Sequence, residues 1–345
     1  MKFNFLAPLL AIGCSISLFG CASIQTPGIS PAEVQYSTVS LSSTKMMEHL
    51  QALQDIAVKH AGNRAVGTAG GLASAKYIMN EANEAGFQAQ MIAFENRAKV
   101  VGQNIIVEIK GKNIDDAVIV GAHYDSVKTG PGINDNGSGT ALLLELMHHY
   151  AKPENKPNNT VYLAFWDSEE EGIGGSQAFV KSMTPSQLEH TLAYINVDMV
   201  GTKNPEIMIA DATKSSVDEM EKMLKERGMK DAEFKPLLDG LRAVPVHEGD
   251  AALEQVLSKF FKQKGVAVKK DISTLTASDT APFLGKVPVA LIILFNEQMQ
   301  GDVLEFAPCY HQACDTIDLI DPASLQLASE AVLNLLHYVD SQNLK

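Results

Sequence analysis

Residues 117–125 read Ala-Val-Ile-Val-Gly-Ala-His-Tyr-Asp, so an apolar run leads directly into a histidine and an aspartate. A short run of β-branched residues without polar alternation is typical of a strand that is buried on both faces. Such strands belong to α/β sheets, in which ligands gather outside the carboxyl ends of the strands. His123 and Asp125 therefore lie where an α/β protein would place its functional site.

Strand-like and helix-like segments alternate on both sides of this stretch. Apolar runs predict strands at 88–94, 104–109, 117–121, 160–166, 191–197 and 289–295. Amphipathic or capped segments predict helices at 44–60, 73–85, 138–150, 215–226, 251–264 and 322–340. No internal repeat or linker interrupts them. The pattern predicts one α/β domain over 44–345, with a central mixed, mostly parallel sheet sandwiched between helices.

The composition excludes several classes of protein. The 345 residues carry 28 Lys+Arg against 41 Asp+Glu, a formal charge of −13. A general nucleic-acid binder needs a concentrated basic surface, so we expect no nucleic-acid partner. With 46% apolar and 20% charged residues, the chain is not mainly disordered. The body contains no run of about 18 apolar residues, the length of a transmembrane helix.

The first 43 residues read as an export leader and a tether. Met1-Lys2 precedes an almost entirely apolar stretch that ends in small residues, which predicts a signal peptide over 1–20. Leu18-Phe19-Gly20-Cys21 resembles a bacterial lipobox, in which Cys21 would be acylated. Phe19 is bulky for that box, so ordinary cleavage after Ala22 stays open. Residues 21–43 lack periodicity and predict a flexible tether.

We therefore expect an exported protein. Its membrane contact would be a lipid anchor at Cys21, facing the periplasm or the cell surface, and a periplasmic or secreted form is the alternative. Export also places the chain where disulfides persist. Cys14 and Cys21 fall in the leader region, which leaves Cys309 and Cys314 for the body.

Further acidic residues and histidines follow the predicted strands. Gly130–Gly139 is a glycine-rich turn that opens a helix, and Asp167–Gly172 follows the strand 160–166. Singly, each candidate has an ordinary interpretation: a hydrogen-bonded loop histidine, a helix cap at Asp135, or a solvated acidic turn. Together they are donors that suit divalent zinc, and carboxylates gathered at one edge repel one another unless cations neutralise them. The candidates are His123, Asp125, Asp135, Glu169, Glu170, Asp198 and His311.

Five strings in this order resemble the secreted bacterial double-zinc aminopeptidases of the Streptomyces and Aeromonas type. They are Gly-Ala-His-Tyr-Asp-Ser-Val (121–127), Gly-Pro-Gly-Ile-Asn-Asp-Asn-Gly-Ser-Gly (130–139), Ser-Glu-Glu-Glu-Gly (168–172), Asn-Val-Asp-Met-Val-Gly (196–201) and Cys-Tyr-His-Gln-Ala-Cys-Asp (309–315). The strings span roughly 200 residues. An upstream segment, Asn63-Arg64 to Gly70, also looks like the family's entry segment.

The resemblance implies a set of metal ligands. His123 and Asp198 would bind one zinc ion and Glu170 and His311 the other, with Asp135 bridging the two. Similar donor sets accept cobalt or manganese as well.

The resemblance also implies roles for other residues. Glu169 matches the general base, Asp125 the carboxylate that orients His123, and Tyr310 the donor to the oxyanion. It further implies a disulfide between Cys309 and Cys314 and a cis peptide bond between Asp135 and Asn136. The expected activity is removal of the N-terminal residue from peptides with a free N-terminus, by a monomer.

One position departs from the family pattern. The family often carries Ser-Asp-His-Ala-Pro-Phe in a segment that lines the substrate pocket, and here Thr280 replaces the histidine. The stretch 202–275 matches weakly and is expected to form the rim of the pocket.

Three other readings stay open. A glutaminyl cyclase would need only Asp135, Glu170 and His311, so His123 favours two metals. A carboxypeptidase or dipeptidase of the same fold would need a basic pocket, and no Arg/Lys cluster lies near the motifs. A non-catalytic member would have lost Glu169 or a ligand, and none is lost.

Overall fold

A central sheet of eight strands organises the part of the chain that the structure, a computed structural model, describes: residues 40–300 and 303–341. Its strands are β1 (Ala89–Glu95), β2 (Val101–Ile109), β3 (Asn113–His123), β4 (Asn159–Trp166), β5 (Thr191–Asp198), β6 (Glu206–Ala210), β7 (Val268–Asp271) and β8 (Val289–Phe295). A separate hairpin pairs β9 (Gln298–Gln300) with β10 (Val303–Glu305).

The sheet order is β1-β2-β4-β3-β5-β8-β6-β7. The central strands β4, β3, β5 and β8 are parallel, as is the edge pair β6 and β7, whereas β1–β2, β2–β4 and β6–β8 are antiparallel pairs. The predicted mixed, mostly parallel sheet is confirmed. Because the four central strands run the same way, their carboxyl ends meet at one edge.

Helices cover both faces of this sheet. They are α1 (Ser43–Lys59), α2 (Ala69–Glu84), α3 (Ser138–Tyr150), α4 (Gly174–Ser182), α5 (Pro185–Glu189), α6 (Ser215–Glu226), α7 (Asp231–Arg242), α8 (Asp250–Gln263) and α9 (Pro322–Ser341). Side-chain caps begin several of them: Ser42 Oγ accepts from Lys45 N at α1, and Thr68 Oγ1 accepts from Gly71 N at α2.

Two hydrophobic clusters fill the space between the sheet and the helices. Along β3, Val118 and Val120 belong to the cluster that includes α1, α3 and α9, whereas Ile119 belongs to the cluster that includes α6 and α7. Alternate residues of a strand point to opposite faces, so this division shows that β3 is buried on both sides. Burial on both faces therefore explains the continuous apolar run at 117–121, as the sequence predicted.

The predicted elements are present, with small shifts at their ends. The strand 117–121 is longer than predicted, and α1 begins at Ser43, the last residue of the predicted tether. Seven of the described helices and strands were missed: α4, α5, α7, β6, β7, β9 and β10. The short edge strand β7 has three charged residues among its four, and α7 contains Pro236 and Gly240, so neither carries a strong periodic signal.

The predicted leader over 1–20, the acylation site Cys21 and most of the tether lie outside the described residues. Within the described part, every helix is too short or too polar to traverse a lipid bilayer. The boundaries predicted for the leader and tether stay predictions.

Candidate metal centre

The strand ends bring together the side chains that the sequence singled out. His123 is the last residue of β3 and Asp198 the last residue of β5, and Glu169 and Glu170 follow β4 in the loop before α4. Asp135 lies in the turn Ile133–Gly137, just before α3. His311 comes from the loop after β10. Four separate connections therefore converge on one sheet edge.

Asp135 lies between the two histidines. Its Oδ1 is 3.3 Å from His123 Nε2, and its Oδ2 is 3.2 Å from His311 Nε2. Asp198 Oδ1 lies 3.7 Å from His123 Nε2, and Glu170 Oε2 lies 3.1 Å from His311 Nε2. Two donor groups result, His123–Asp135–Asp198 and Asp135–Glu170–His311, and within each group the donor atoms lie within 4.8 Å of one another.

The donor atoms fit divalent metal ions. The buried Asp198 Oδ1 and Glu170 Oε1 have no hydrogen-bond partner among the described residues. Unsatisfied buried polar atoms are costly, and a cation in each group would compensate them. Imidazole nitrogens with carboxylate oxygens are the donors that zinc takes in proteins.

Uncompensated negative charge marks the same place. Burial, together with the neighbouring Asp135 carboxylate, raises the pKa of Glu170 to about 7. Burial also raises the pKa of Glu169, although the His123 imidazole opposes that shift. Buried carboxylates that lie close together repel one another, so they either take up protons or hold a cation between them.

Asp125 organises the loop that carries Glu169 and Glu170. Its side chain is fully buried, and its Oδ1 lies 3.3 Å from His123 Nδ1. The backbone N–H groups of Glu169 and Glu170 donate to its two oxygens at 3.1 and 3.4 Å. Asp125 thus contacts both the imidazole ring and the acidic loop, and it faces the nitrogen of His123 that points away from Asp135.

The turn that carries Asp135 is fixed from outside by two residues that sequence reasoning gave no role. The backbone N–H groups of Asn134 and Asp135 donate to Asp315 at 2.9 and 3.1 Å. The fully buried Arg64 donates to the carbonyl oxygens of Pro131, Gly132 and Tyr124. Asp315 and Arg64 both lie inside strings quoted for the family resemblance, but nothing in those strings shows that they meet this turn.

Asp198 is held by a chain of hydrogen bonds. Ser278 Oγ donates to Asp198 Oδ2 at 2.7 Å, and Asn196 Nδ2 donates to Ser278 Oγ at 2.8 Å. The sequence gives no sign of this role for Ser278, although Ser278 lies in the same segment as Thr280. Thr280 is buried, and the described residues that line the neighbouring cavity include Ser278 and not Thr280.

A cavity of about 230 Å³ opens onto Glu169 and onto the first donor group, His123–Asp135–Asp198. Its apolar lining consists of Met199, Ile293, Phe295 and Phe306, and Tyr310 contacts Phe306. Asp271, Ser273 and Thr274 complete part of the lining, so the weakly matching stretch 202–275 does contribute to the rim. The cavity can hold a large side chain next to the donor groups.

Tyr310 stands between the cavity and the second donor group. Its ring stacks on His311 with 3.8 Å between the ring centroids and meets Phe306 edge to face. Burial raises the pKa of Tyr310, and Asp135 raises it further, so the hydroxyl stays protonated. The disulfide Cys309–Cys314 brackets these residues, and the peptide bond Asp135–Asn136 is cis, both as the resemblance implied.

The fold and this donor set define a class: α/β proteins with a divalent-metal centre at the carboxyl edge of the sheet. The chain belongs to peptidase family M28, whose sequence profile matches residues 104–237 and 239–336, more than half of its length. The prediction of the family is confirmed.

Curated relatives carry names that agree with the family. The chain is 27% identical to leupeptin-inactivating enzyme 1 of Streptomyces exfoliatus over 90% of this chain and 64% of that protein. It is 31% identical to an aminopeptidase of Pseudomonas aeruginosa over 71% of this chain and 42% of the relative. A probable lipoprotein aminopeptidase of Mycobacterium tuberculosis is 32% identical over 67% of this chain and 44% of the relative. The chain therefore matches about half of the length of these relatives.

Solved structures share the fold. A zinc aminopeptidase from Bacillus subtilis superposes with a TM-score of 0.66 at 16% identity, covering 90% of this chain and 98% of that one. A glutaminyl cyclase from Bacteroides thetaiotaomicron superposes with a TM-score of 0.62 at 17% identity, covering 87% and 99%. Since one fold carries both activities, the fold alone does not separate them.

Proposed function

We propose that the protein is an aminopeptidase that uses two zinc ions, one in each donor group, to hydrolyse the first peptide bond of its substrates. The observation that carries this proposal is the position of Asp135, whose two oxygens face different histidines at 3.3 and 3.2 Å. A carboxylate that is shared in this way is expected of a bridging ligand. His123 and Asp198 would complete one ion's set, and Glu170 and His311 the other's.

Zinc ions bound there would supply a water molecule of lowered pKa and polarise the scissile carbonyl group. The protein's own residues would do the rest. Glu169 lines the cavity beside the donor groups without belonging to either, so its carboxylate can take a proton from the attacking water and deliver it to the leaving amine. The Tyr310 hydroxyl, kept protonated, can donate a hydrogen bond to the carbonyl oxygen as negative charge develops on it.

The cavity supports an exopeptidase. Its acidic lining residues Glu169, Asp135 and Asp198 suit a free α-amino group, and its apolar lining suits a large apolar side chain. Among the described residues that line it, none is a lysine or an arginine. That composition disfavours capture of a substrate carboxylate and therefore a carboxypeptidase. The substrates proposed are peptides with a free N-terminus, and the protein would act as a monomer.

We further infer that the mature protein is exported and held to a membrane by a lipid at Cys21. The lipobox-like string before Cys21 supports this inference. The name of the mycobacterial relative, a lipoprotein aminopeptidase, agrees with it.

The test of the activity uses leucine and alanine anilides with free and with N-acetylated amino groups, together with metal analysis. We expect hydrolysis of the free amines only, by protein that carries zinc in both donor groups. Equal cleavage of the acetylated substrates would remove the claim of an exopeptidase, and protein that holds one zinc and releases pyroglutamate would overturn the proposal.

The test of the base is Glu169→Ala. Loss of a positioned general base costs about 10²–10⁴-fold in rate, so turnover should fall by at least that factor while both zinc ions stay bound. Glu171→Ala is the matched control, because Glu171 lies in the same loop outside both donor groups. If Glu169→Ala turns over at the rate of the control, another group is the base.

A second candidate is a glutaminyl cyclase with one metal ion. The shared fold of the Bacteroides enzyme supports it, and Asp135, Glu170 and His311 would suffice for such a site. His123→Ala separates the two functions. A cyclase would keep its turnover of N-terminal glutaminyl peptides in that variant, whereas the aminopeptidase would lose turnover of the anilides.

A further inference from the structure

A second cluster of histidine and carboxylate lies among helices, away from the strand ends. His49 belongs to α1, Glu81 to α2 and His148 to α3. His148 stands ten residues beyond the start of α3 at Ser138, about 15 Å along the helix axis at 1.5 Å per residue. The cluster therefore shares no residue with the strand-end donor groups, and the proposed function leaves it unused.

The three side chains converge on one carboxylate oxygen. His148 Nε2 lies 3.0 Å from Glu81 Oε2, and His49 Nδ1 lies 3.9 Å from the same oxygen. The donor atoms of all three lie within 4.8 Å of one another. The imidazole rings of His49 and His148 are nearly parallel, with centroids 5.9 Å apart and an interplanar angle of 9°. Two imidazoles thus flank one carboxylate.

The burial of the cluster suits an ion that enters from the surface. The side chain of His49 is 8% exposed and that of Glu81 16%, whereas that of His148 is 33% exposed. His148 is thus the open side of the group. The Tyr77 hydroxyl lies 2.6 Å from His49 Nδ1 and adds an oxygen at the inner end. The contact of 3.9 Å between His49 Nδ1 and Glu81 Oε2 is too long for a hydrogen bond. The Tyr77 hydroxyl instead hydrogen-bonds to both His49 and Glu81, so an ion that takes His49 Nδ1 would replace the hydrogen bond between that nitrogen and Tyr77.

We propose that His49, Glu81 and His148 bind a divalent transition-metal ion, zinc in the first place, at a site separate from the strand-end centre. Two imidazoles and one carboxylate form a donor set that zinc takes in proteins, and the exposed side beside His148 leaves a position for water. An ion bound there links the three consecutive helices α1, α2 and α3. Because it binds the folded state, it stabilises the protein by mass action.

The link also reaches the turn of Asp135. Leu50, the neighbour of His49 on α1, packs against this turn: a Cβ built on Gly137 would lie 3.5 Å from Leu50 Cδ2. Fixing α1 to α2 and α3 therefore supports the turn from behind. The ion is a brace for the helices, and no reacting group is assigned to it.

The experiment counts zinc in the full chain after removal of metal, reloading with Zn²⁺ alone and removal of the excess. Glu81→Gln and His148→Gln each remove one donor, and His149→Gln is the matched control. His149 is the next residue on α3, but its ring contacts Asn155 rather than the cluster. We expect the wild type and His149→Gln to hold one zinc per chain more than Glu81→Gln and His148→Gln. Equal zinc content in all four proteins overturns the proposal.

A thermal measurement keeps the test decisive if either variant binds zinc poorly for another reason. Added Zn²⁺ should raise the melting temperature of Asp135→Asn, in which the strand-end centre is damaged, and should raise it less in Asp135→Asn combined with His148→Gln. Equal shifts in melting temperature in these two proteins would contradict zinc binding by His49, Glu81 and His148. The melting temperature is measured without any turnover. Failure of the aminopeptidase proposal would therefore leave this measurement unchanged. Loss of anilide hydrolysis would likewise not be mistaken for loss of zinc binding by His49, Glu81 and His148.

Discussion

The strand-end centre and the helix cluster of His49, Glu81 and His148 use the same donor types, yet they are held in different ways. At the strand ends, backbone N–H groups and fixed side chains position the donors from outside: Asp315 holds the turn of Asp135, and Ser278 holds Asp198. In the helix cluster, the donors chiefly contact one another and Tyr77.

The difference concerns how much of each site is formed before an ion arrives. Partners that orient a ligand raise metal affinity, and their loss typically costs 10–100-fold. A site with such partners should bind tightly and keep its geometry during a reaction. A site made of helix side chains has rotamer freedom to lose on binding, so we expect it to be the weaker of the two and to serve stability.

The largest effect should come from Asp135→Asn, which removes the shared carboxylate charge. Both donor groups lose their common ligand, and turnover should fall about 1,000-fold or more, since metal-ion catalysis supplies several kcal/mol and each ~1.4 kcal/mol is tenfold in rate. Anilide turnover and zinc content measure it. Asp239→Asn, an exposed carboxylate on α7, is the control. Full zinc content in Asp135→Asn would show that Asp135 is no bridge.

The same contrast explains what the sequence could predict. The strand-end ligands follow apolar runs directly, so local pattern and topology place His123 and Asp198 at one edge. The helix cluster has no such signal, because His49, Glu81 and His148 lie on three helices and only tertiary packing joins them. Each, taken alone, is an ordinary residue of an amphipathic helix.

The residues that position the strand-end ligands could not be predicted from the sequence, for a related reason. Arg64 and Asp315 lie far along the chain from the turn that they hold, at sequence separations of 67 and 180 residues for two of their bonds. The predicted fold class needed only periodicity, whereas these contacts depend on loop conformations. Edge elements such as β7 were missed because a half-exposed polar strand leaves little apolar pattern.

Arg64→Met tests whether the strand-end centre depends on its surroundings. Arg64 is fully buried and remains a cation, since burial lowers its pKa only to about 10. Its removal leaves three carbonyl oxygens without their donor and four nearby carboxyl groups without a counter-charge. We expect a loss of about 3 kcal/mol in the free energy of unfolding.

Urea denaturation of metal-free protein measures this loss without a contribution from bound zinc. The matched control is Arg242→Met, because Arg242 pairs with Asp218 and Glu221 at the surface, where ion pairs contribute little. Equal midpoints for the two variants would mean that the turn keeps its conformation without Arg64.

Ser278→Ala should have the smallest effect and makes the comparison sharpest, because it leaves every proposed ligand in place. The variant removes the hydroxyl that donates to Asp198 Oδ2 and accepts from Asn196 Nδ2. Asp198 is then free to turn away from His123, so zinc affinity should fall about 10–100-fold, while turnover at saturating zinc falls less. The chelator concentration that halves turnover reports the affinity. Ser278→Thr keeps a hydroxyl and should recover most of it, and Ser182→Ala, an exposed serine on α4, should behave as the wild type. The contrary outcome is that Ser278→Ala holds zinc as tightly as Ser182→Ala. Hydrogen bonds from neighbouring residues to the ligands would then not be what separates the strand-end centre from the helix cluster, and the difference would lie in the donors themselves.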